Sequence, residues 1–175
     1  MAKITKIHRS QTKEFRGFEA TLARRQELKK NSYTIPQIVR VTGVSRRNVL
    51  HWTKVRLLRT CLTVTNTSGS RAIAYYSADN VFKAMIIFEM RKRGLSLKQV
   101  RRVETHLRRK EKCTLIESAK YLVTDGRTAC YRESATTVID LLKSKNQMLL
   151  IPVFEHLTQV KAALRTEREV QKNYR

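Results

Sequence analysis

Acidic residues are scarce in this chain, and one long stretch lacks them altogether. The 175 residues include 37 Lys and Arg but only 14 Asp and Glu, which gives a formal net charge of +23. No acidic residue lies between Leu28 and Ala78. The basic residues of this window are Lys29, Lys30, Arg40, Arg46, Arg47, Lys54, Arg56, Arg59 and Arg71. Because a carboxylate repels a phosphate, such a stretch suits a surface that faces phosphates, and the net charge predicts a polyanionic partner.

Long apolar runs are also missing. No run approaches the roughly 18 residues that a membrane-spanning helix needs. The segment from Met1 to Ser10 is basic, but it lacks the apolar core of a signal peptide. We therefore expect no membrane contact and a cytoplasmic, nucleoid-associated protein.

Motifs for metal binding and catalysis are absent from the sequence. The three cysteines, Cys61, Cys113 and Cys130, are far apart and form no CxxC pair or Cys/His cluster. The sequence contains no paired-carboxylate motif, no glycine-rich phosphate loop and no nucleophile elbow. We expect reduced structural thiols, no catalytic residue, no metal, no cofactor and no clear effector pocket, in a protein that is not an enzyme.

Two short helices joined by a tight turn are predicted inside the stretch without acidic residues. Thr34 is a fitting N-cap for the first helix, and Gly43 suits the turn that follows it. Ser45 caps a second helix that runs to about Val55, with Trp52 facing the core. This arrangement is typical of the helix-turn-helix motif, whose second helix enters the major groove of DNA.

A β-hairpin and two further helices follow. The predicted elements are strands over 63–65 and 72–76, a helix from Ser77 or Asp79 to about Arg93, and a helix from Ser96 to near Lys112. The residues 66–70 form a turn cluster between the strands, and Gly94 ends the first of these helices. The hairpin is predicted to be a wing beside the two short helices.

The last third of the chain predicts a small α+β module. Its predicted elements are strands over 120–124, 128–131 and 148–153, and helices over 134–143 and 154–164. Asp125-Gly126 is predicted to form a tight hairpin turn. The predicted divisions are a basic arm or helix over 1–31, a head over 32–112, the module over 113–164 and a basic tail over 165–175. The fold class is mainly α with small β.

The order of these parts resembles the MerR family. The matching pieces are Tyr33-Thr34-Ile35, Thr42-Gly43-Val44-Ser45, Arg47, Leu57-Leu58, Tyr76-Ser77, Asp79 and Arg93-Gly94-Leu95-Ser96-Leu97. They cover roughly residues 33–107. The resemblance implies a winged helix-turn-helix head that binds double-stranded DNA and regulates transcription.

The chain departs from the pattern of that family at several positions. Arg56 stands where the family usually has Gly, and Ala74 stands where its wing arginine commonly lies, with Arg71 displaced. The long dimerising coiled coil of the family is missing, because the helix from Ser96 is predicted to stop near Lys112. The module resembles a Leu-Val-Thr-Asp-Gly segment that a subset of MerR-like proteins carries, some of them encoded beside toxin genes.

Seven residues are the predicted DNA-binding set. They are Arg46, Arg47, Asn48, His51, Lys54, Arg71 and Tyr76. Arg46 and Asn48 begin the second helix, where arginine can pair with guanine and asparagine with adenine. The resemblance places Arg47 at the phosphate-contacting arginine of the family and His51 where the family has Tyr. It also selects Tyr76, rather than its neighbour, as the wing tyrosine that points toward DNA.

Several alternatives stay open at this stage. The leading hypothesis is a regulator, acting as a repressor or autoregulator, that forms a homodimer through the segment after Lys112 and binds an inverted repeat. One alternative is an architectural or excisionase-like protein that bends DNA. Another is an antitoxin-like module that binds a protein partner through residues 113–164. RNA binding is less favoured, because the aromatic residues form no stacking platform.

Overall fold

The first residues that the structure describes lie inside the predicted basic arm. The computed structural model describes residues 23–65, 72–110, 120–134, 136, 138, 139 and 148–173. Residues 23–30 are helical, with exposed side chains, and form α1. Residues 1–22 of the arm predicted over 1–31 lie outside the described residues.

The two short helices form as the sequence predicts. They are α2 (Ile35–Thr42) and α3 (Arg46–Lys54). The backbone N–H and the hydroxyl of Thr34 donate to Gln37 Oε1, at 2.8 and 2.9 Å, which holds the start of α2. Gly43 ends α2 with a φ of 68°, a left-handed conformation that suits glycine. Ser45 caps α3 by accepting a hydrogen bond from the backbone N–H of Asn48 at 3.3 Å.

The predicted hairpin strands belong to a three-stranded antiparallel sheet. The strands are β1 (Tyr33–Thr34), β2 (Leu62–Thr65) and β3 (Ala72–Tyr76), in the order β1-β3-β2. Leu62 lies opposite Tyr75, and Thr65 lies opposite Ala72. The predicted turn over 66–70 lies outside the described residues. The central strand β3 thus ties the start of α2 to the hairpin.

Two longer helices complete the head. They are α4 (Ala78–Lys92) and α5 (Leu97–Lys110). Ser77 caps α4, and Gly94, with a φ of 90°, follows its last turn. At the start of α5 the backbone N–H and the hydroxyl of Ser96 donate to Gln99 Oε1, each at 2.8 Å. The caps predicted for these helices are confirmed.

The C-terminal module contains a second antiparallel sheet. Its strands are β4 (Tyr121–Thr124), β5 (Ala129–Arg132) and β6 (Leu149–Pro152), in the order β5-β4-β6. The β4–β5 loop spans 125–128, and Asp125 Oδ1 accepts from the backbone N–H groups of Arg127 and Thr128 at 2.7 and 2.6 Å. Burial alone would raise the pKa of Asp125, but these backbone hydrogen bonds outweigh it and lower the pKa. Of the helix predicted over 134–143, residues 136, 138 and 139 are described as helical.

The last helix is longer than the sequence predicts. It is α6 (Val153–Asn173), so it continues past Leu164 through the segment predicted as a basic tail over 165–175. The extension is held by tertiary contacts: Glu167 pairs with Arg40 of α2, and the Arg168 guanidinium lies 5.6 Å from the centre of the Tyr33 ring. Local sequence does not report such contacts. None of the described helices has the length and apolar character to cross a membrane.

The head and the module share one hydrophobic core. It joins the buried face of α5 (Val100, Val103, Leu107) to residues of the module such as Leu122, Tyr131, Ile151 and Val160. These apolar residues of the segment after Lys112, which was predicted to form the homodimer, are therefore already covered within the chain. The burial is close to complete for Leu122, Val123 and Ile151, each 0% exposed, and for Val138, 4% exposed. Dimerisation through the segment after Lys112 stays a prediction, and these buried residues would be available for it only if the module left its own head.

The predicted fold class is confirmed. The described residues are mainly helical and form two small antiparallel sheets, and a helix-turn-helix region precedes a small strand-rich module.

Candidate nucleic-acid interface

Helix α3 buries one face and exposes a cationic one. Val49 is 0% exposed and Trp52 is 2% exposed, so both belong to the core, as predicted for Trp52. The exposed residues of α3 are Arg46, Arg47, Leu50, His51 and Lys54. With about 100° per residue, these five side chains span an arc of about 140°. This arc, which we call the α3 face, is the surface that the helix offers to a partner.

Four of the seven predicted residues lie together on the α3 face. Arg46 and Lys54 are two helical turns apart along it, with Arg47 and His51 beside them. Asn48 is half-buried and lies at the edge of the arc, with its backbone N–H bound to Ser45. Sequence reasoning thus found most of the face.

Sequence reasoning missed Leu50, which is 48% exposed at the centre of the α3 face. Helical spacing could have located it, because Leu50 is four residues from both Arg46 and Lys54. An apolar side chain is normally assigned to the hydrophobic core, and for this reason Leu50 was not predicted to be exposed.

No carboxylate neutralises the α3 face within the described part of the chain. The ion pairs of that part involve Arg40, Lys83, Lys92, Arg93, Arg108 and His156. Arg46, Arg47 and Lys54 make none there, so their charges face solvent unpaired. Three unpaired cations along one exposed helix face form a site of positive potential that suits a polyanion.

Tyr76 is not on this surface. Its side chain is 0% exposed, and its hydroxyl lies 2.9 Å from the hydroxyl of Thr53, on the inner side of α3. Tyr75 is also buried, at 8% exposure. Successive side chains of a strand point to opposite faces of a sheet, so both faces are covered at this end of β3. The prediction that Tyr76 points toward DNA is therefore wrong, and its role is to join the hairpin to α3.

The hairpin contributes an exposed edge next to the site. Thr63 and Thr65 of β2 are exposed, as are Ala72 and Ile73 of β3. Arg71, the predicted cation of this hairpin, lies outside the described residues. The hairpin is joined to α3 through the contact between Tyr76 and Thr53.

The segment after α3 is fixed by a contact from α5. The Arg101 guanidinium donates a hydrogen bond to the carbonyl of Val55, the residue that ends α3. The next residue, Arg56, adopts a φ of 60°, which costs a residue with a Cβ about 1 kcal/mol or more. This explains why the MerR pattern has Gly at this position.

Two more groups of basic residues, Arg91 to Arg93 at the end of α4 and the cations of α5, differ in their surroundings. Arg91 donates to the carbonyl of Leu95, while Lys92 and Arg93 both pair with Glu89. This cluster is engaged within the chain. On α5, by contrast, Lys98, Arg102 and Arg109 are exposed and make no ion pair within the described residues. Arg101 of the same helix contacts the residue that follows α3, so these cations lie on a helix that packs near the end of α3.

A cavity of about 490 Å³ lies between α4, α5 and the second sheet. Its apolar lining comes from Ile86, Ile87, Met90, Val100, Val103, Leu107, Leu122 and Tyr131. At its rim Glu104 pairs with Lys83 and with Arg108, the latter at 2.8 Å. The sequence predicts no clear pocket, because the walls of this cavity come from parts of the chain far apart in sequence. Among the described residues, no three His, Cys, Asp or Glu side chains group together in a way that could hold a metal ion.

Comparison with known proteins supports the assignment of the head. Residues 33–107 match the family model described as MerR HTH family regulatory protein. No curated protein matches the chain. The match covers the two short helices, the hairpin and both longer helices, and it stops before the second sheet. Residues 33–107 are therefore a MerR-like helix-turn-helix DNA-binding domain.

Proposed function

We propose that the protein binds double-stranded DNA sequence-specifically, with α3 in the major groove. The observation that carries this proposal is the α3 face, where Arg46, Arg47 and Lys54 are exposed and have no carboxylate partner among the described residues. An α-helix fits the major groove in size, and a row of cations along one side matches the flanking phosphates.

The residues of this face take different roles in the proposal. Arg47, His51 and Lys54 contact phosphates and supply affinity that depends on salt. Arg46 and Asn48, at the start of the helix, contact base edges and supply specificity. Arg71 of the hairpin contacts the backbone or the minor groove. Tyr76 has no place in this set, because it is buried.

We further propose that two copies bind an inverted repeat but pair only on DNA. One head offers a small footprint, and two heads on one duplex face double it. Buried apolar residues of the module, such as Leu122 and Ile151, are packed against the head of the same chain and are not available to join two copies in free solution. A formal charge of +23 also opposes association without a polyanion.

Repression or autoregulation is the simplest regulatory outcome in this proposal. A protein that occupies a promoter competes with polymerase for the same DNA, and it needs no second event to do so. The module has a supporting role, since it packs against the head through α6 and the second sheet. Leu122, Tyr131 and Ile151 of the module are buried in that packing, whereas Ile139 and Phe154 are exposed, so an antitoxin-like partner surface on the module stays an alternative.

DNA bending is the second candidate, and the basic face of α5 favours it. Lys98, Arg102 and Arg109 add exposed cations outside α3, and extra phosphate contacts of this kind can repay the cost of bending a duplex toward them. A fluorescence measurement of the distance between the duplex ends, with and without protein, shows whether the bound DNA is bent, since bending shortens this distance. A bend without sequence preference would favour the architectural role.

Selection of bound sequences from a random DNA pool tests the leading proposal. The wild type should enrich a defined site. Arg46→Ala and Asn48→Ala should each relax the preference at one position, by about 1–3 kcal/mol of discrimination. Arg165→Ala, which removes an exposed cation from α6, should enrich the same site as the wild type. A pool that stays random with the wild type would contradict sequence-specific binding.

A further inference from the structure

Leu50 is an exposed apolar residue surrounded by cations. It is 48% exposed, whereas the other large apolar residues of α3, Val49 and Trp52, are buried. One helical turn separates Leu50 from Arg46 on one side and from Lys54 on the other. A single exposed apolar side chain is common on protein surfaces, but Leu50 lies within the face that is proposed to contact DNA, where a bound duplex would cover it.

The charges around Leu50 restrict the nature of that partner. A protein surface that covered Leu50 would have to supply carboxylates for Arg46, Arg47 and Lys54 or leave their charges buried, which is costly. A DNA duplex supplies phosphates on both walls of the major groove and an apolar group at its floor. That group is the 5-methyl of thymine, the only methyl that the four bases present there.

We propose that Leu50 contacts a thymine 5-methyl group and selects thymine at one position of each half-site. This inference rests on the proposed function, since it requires α3 to enter the major groove. The central position of Leu50 on the α3 face puts it deepest in the groove when the flanking cations reach the two phosphate walls. Leucine carries no hydrogen-bonding group, so its preference can come only from the methyl contact and not from the polar edges of the base.

Replacement of thymine by deoxyuridine tests this contact. Deoxyuridine lacks the methyl group and keeps every hydrogen-bonding atom of thymine. In the selected site, each thymine is replaced singly, and Kd is measured for the full-length wild type, Leu50→Ala and Val170→Ala. Val170, 47% exposed on α6, is the matched apolar control.

At one thymine of each half-site, the wild type and Val170→Ala should lose about fourfold in affinity on removal of the methyl group. Leu50→Ala should bind the thymine and deoxyuridine duplexes equally at that position. Its thermal unfolding should match that of the wild type, because the side chain is exposed.

The outcomes separate this inference from the function on which it rests. If the wild type selects no sequence, the proposed function fails and the inference fails with it. If the wild type selects a site, but Leu50→Ala keeps the same deoxyuridine sensitivity at every position, the role of Leu50 is refuted while sequence-specific binding stands. The role of Leu50 is also refuted if the wild type binds every deoxyuridine duplex with the same Kd as the thymine duplex.

Discussion

The hydroxyl groups of Tyr76 and Thr53 lie 2.9 Å apart and form a hydrogen bond. Thr53 donates its own proton to the carbonyl of Val49 at 2.8 Å, so Tyr76 is the donor in the bond between the two side chains. This short chain of hydrogen bonds links the last residue of β3 to the inner side of α3. The hairpin and the proposed recognition helix are thereby held as one unit.

Tyr76→Phe should lower the free energy of unfolding by about 1 kcal/mol, because it leaves the buried Thr53 oxygen without its donor. Urea unfolding measures this. A double-mutant cycle with Thr53→Val isolates the pair, and the two effects should not add. The slope of log K for DNA against log salt should stay unchanged in Tyr76→Phe, since this residue does not reach DNA. A lower slope for Tyr76→Phe than for the wild type would contradict this and would indicate that Tyr76 contacts DNA.

The β4–β5 loop depends on the close approach of Gly126 to α5. Gly126 has a φ of 80°, and a Cβ on it would lie 2.8 Å from Gln99 Nε2. Gly126→Ala should cost about 1–2 kcal/mol for the backbone conformation. The loss of unfolding free energy in Gly126→Ala should exceed this backbone cost, because the Gln99 side chain, which accepts hydrogen bonds from Ser96 at the start of α5, would have to move.

Gly94→Ala is the matched control for that variant, since Gly94 has a φ of 90° and open space within 4 Å. It should show the backbone cost alone. Chemical denaturation of both variants gives the comparison. Equal losses would mean that the contact between Gly126 and Gln99 adds nothing to stability.

The bond between the head and α6 should make stability depend on pH. Arg40 donates two hydrogen bonds to Glu167, at 2.7 and 2.8 Å, and they lower the pKa of Glu167. A carboxylate with a lowered pKa contributes stability above its ordinary pKa, about 4.3, and loses it as the pH falls through the lowered value. Glu167→Gln should therefore be less stable than the wild type at pH 7, by about 0.5–1 kcal/mol.

This difference should shrink as the pH falls through the acidic range. Glu169→Gln, on the same helix and without an ion pair among the described residues, should match the wild type throughout. Thermal melts between acidic and neutral pH make the comparison. A Glu167→Gln deficit that persists unchanged at low pH would show that the pair does not act through charge.

Local signals predicted the head well, and tertiary contacts explain what they missed. The caps Thr34, Ser45 and Ser96 act through neighbours three residues away, so the sequence displays them directly. The burial of Tyr76 depends on Thr53, and the length of α6 depends on Arg40 of a distant helix. A local sequence pattern does not show that Thr53 contacts Tyr76 or that Arg40 pairs with Glu167. It also does not show that the module packs over the apolar face of α5.

The free protein should be monomeric. Its charge opposes self-association, and the apolar face of α5 is covered by its own module. Sedimentation velocity at moderate salt should give one copy without DNA and two copies on a duplex that carries the selected inverted repeat. A stable dimer without DNA would mean that a different surface joins the copies.

The salt dependence of DNA binding tests the central claim, that the α3 face contacts DNA phosphates, most directly. Arg47→Ala should lower the slope of log K against log salt by about one unit on every duplex, as one lost phosphate contact requires. Arg165→Ala removes the same charge from exposed α6 and should leave the slope at its wild-type value. Slopes that are equal for the wild type and both variants would contradict the account, because α3 would then lie outside the interface.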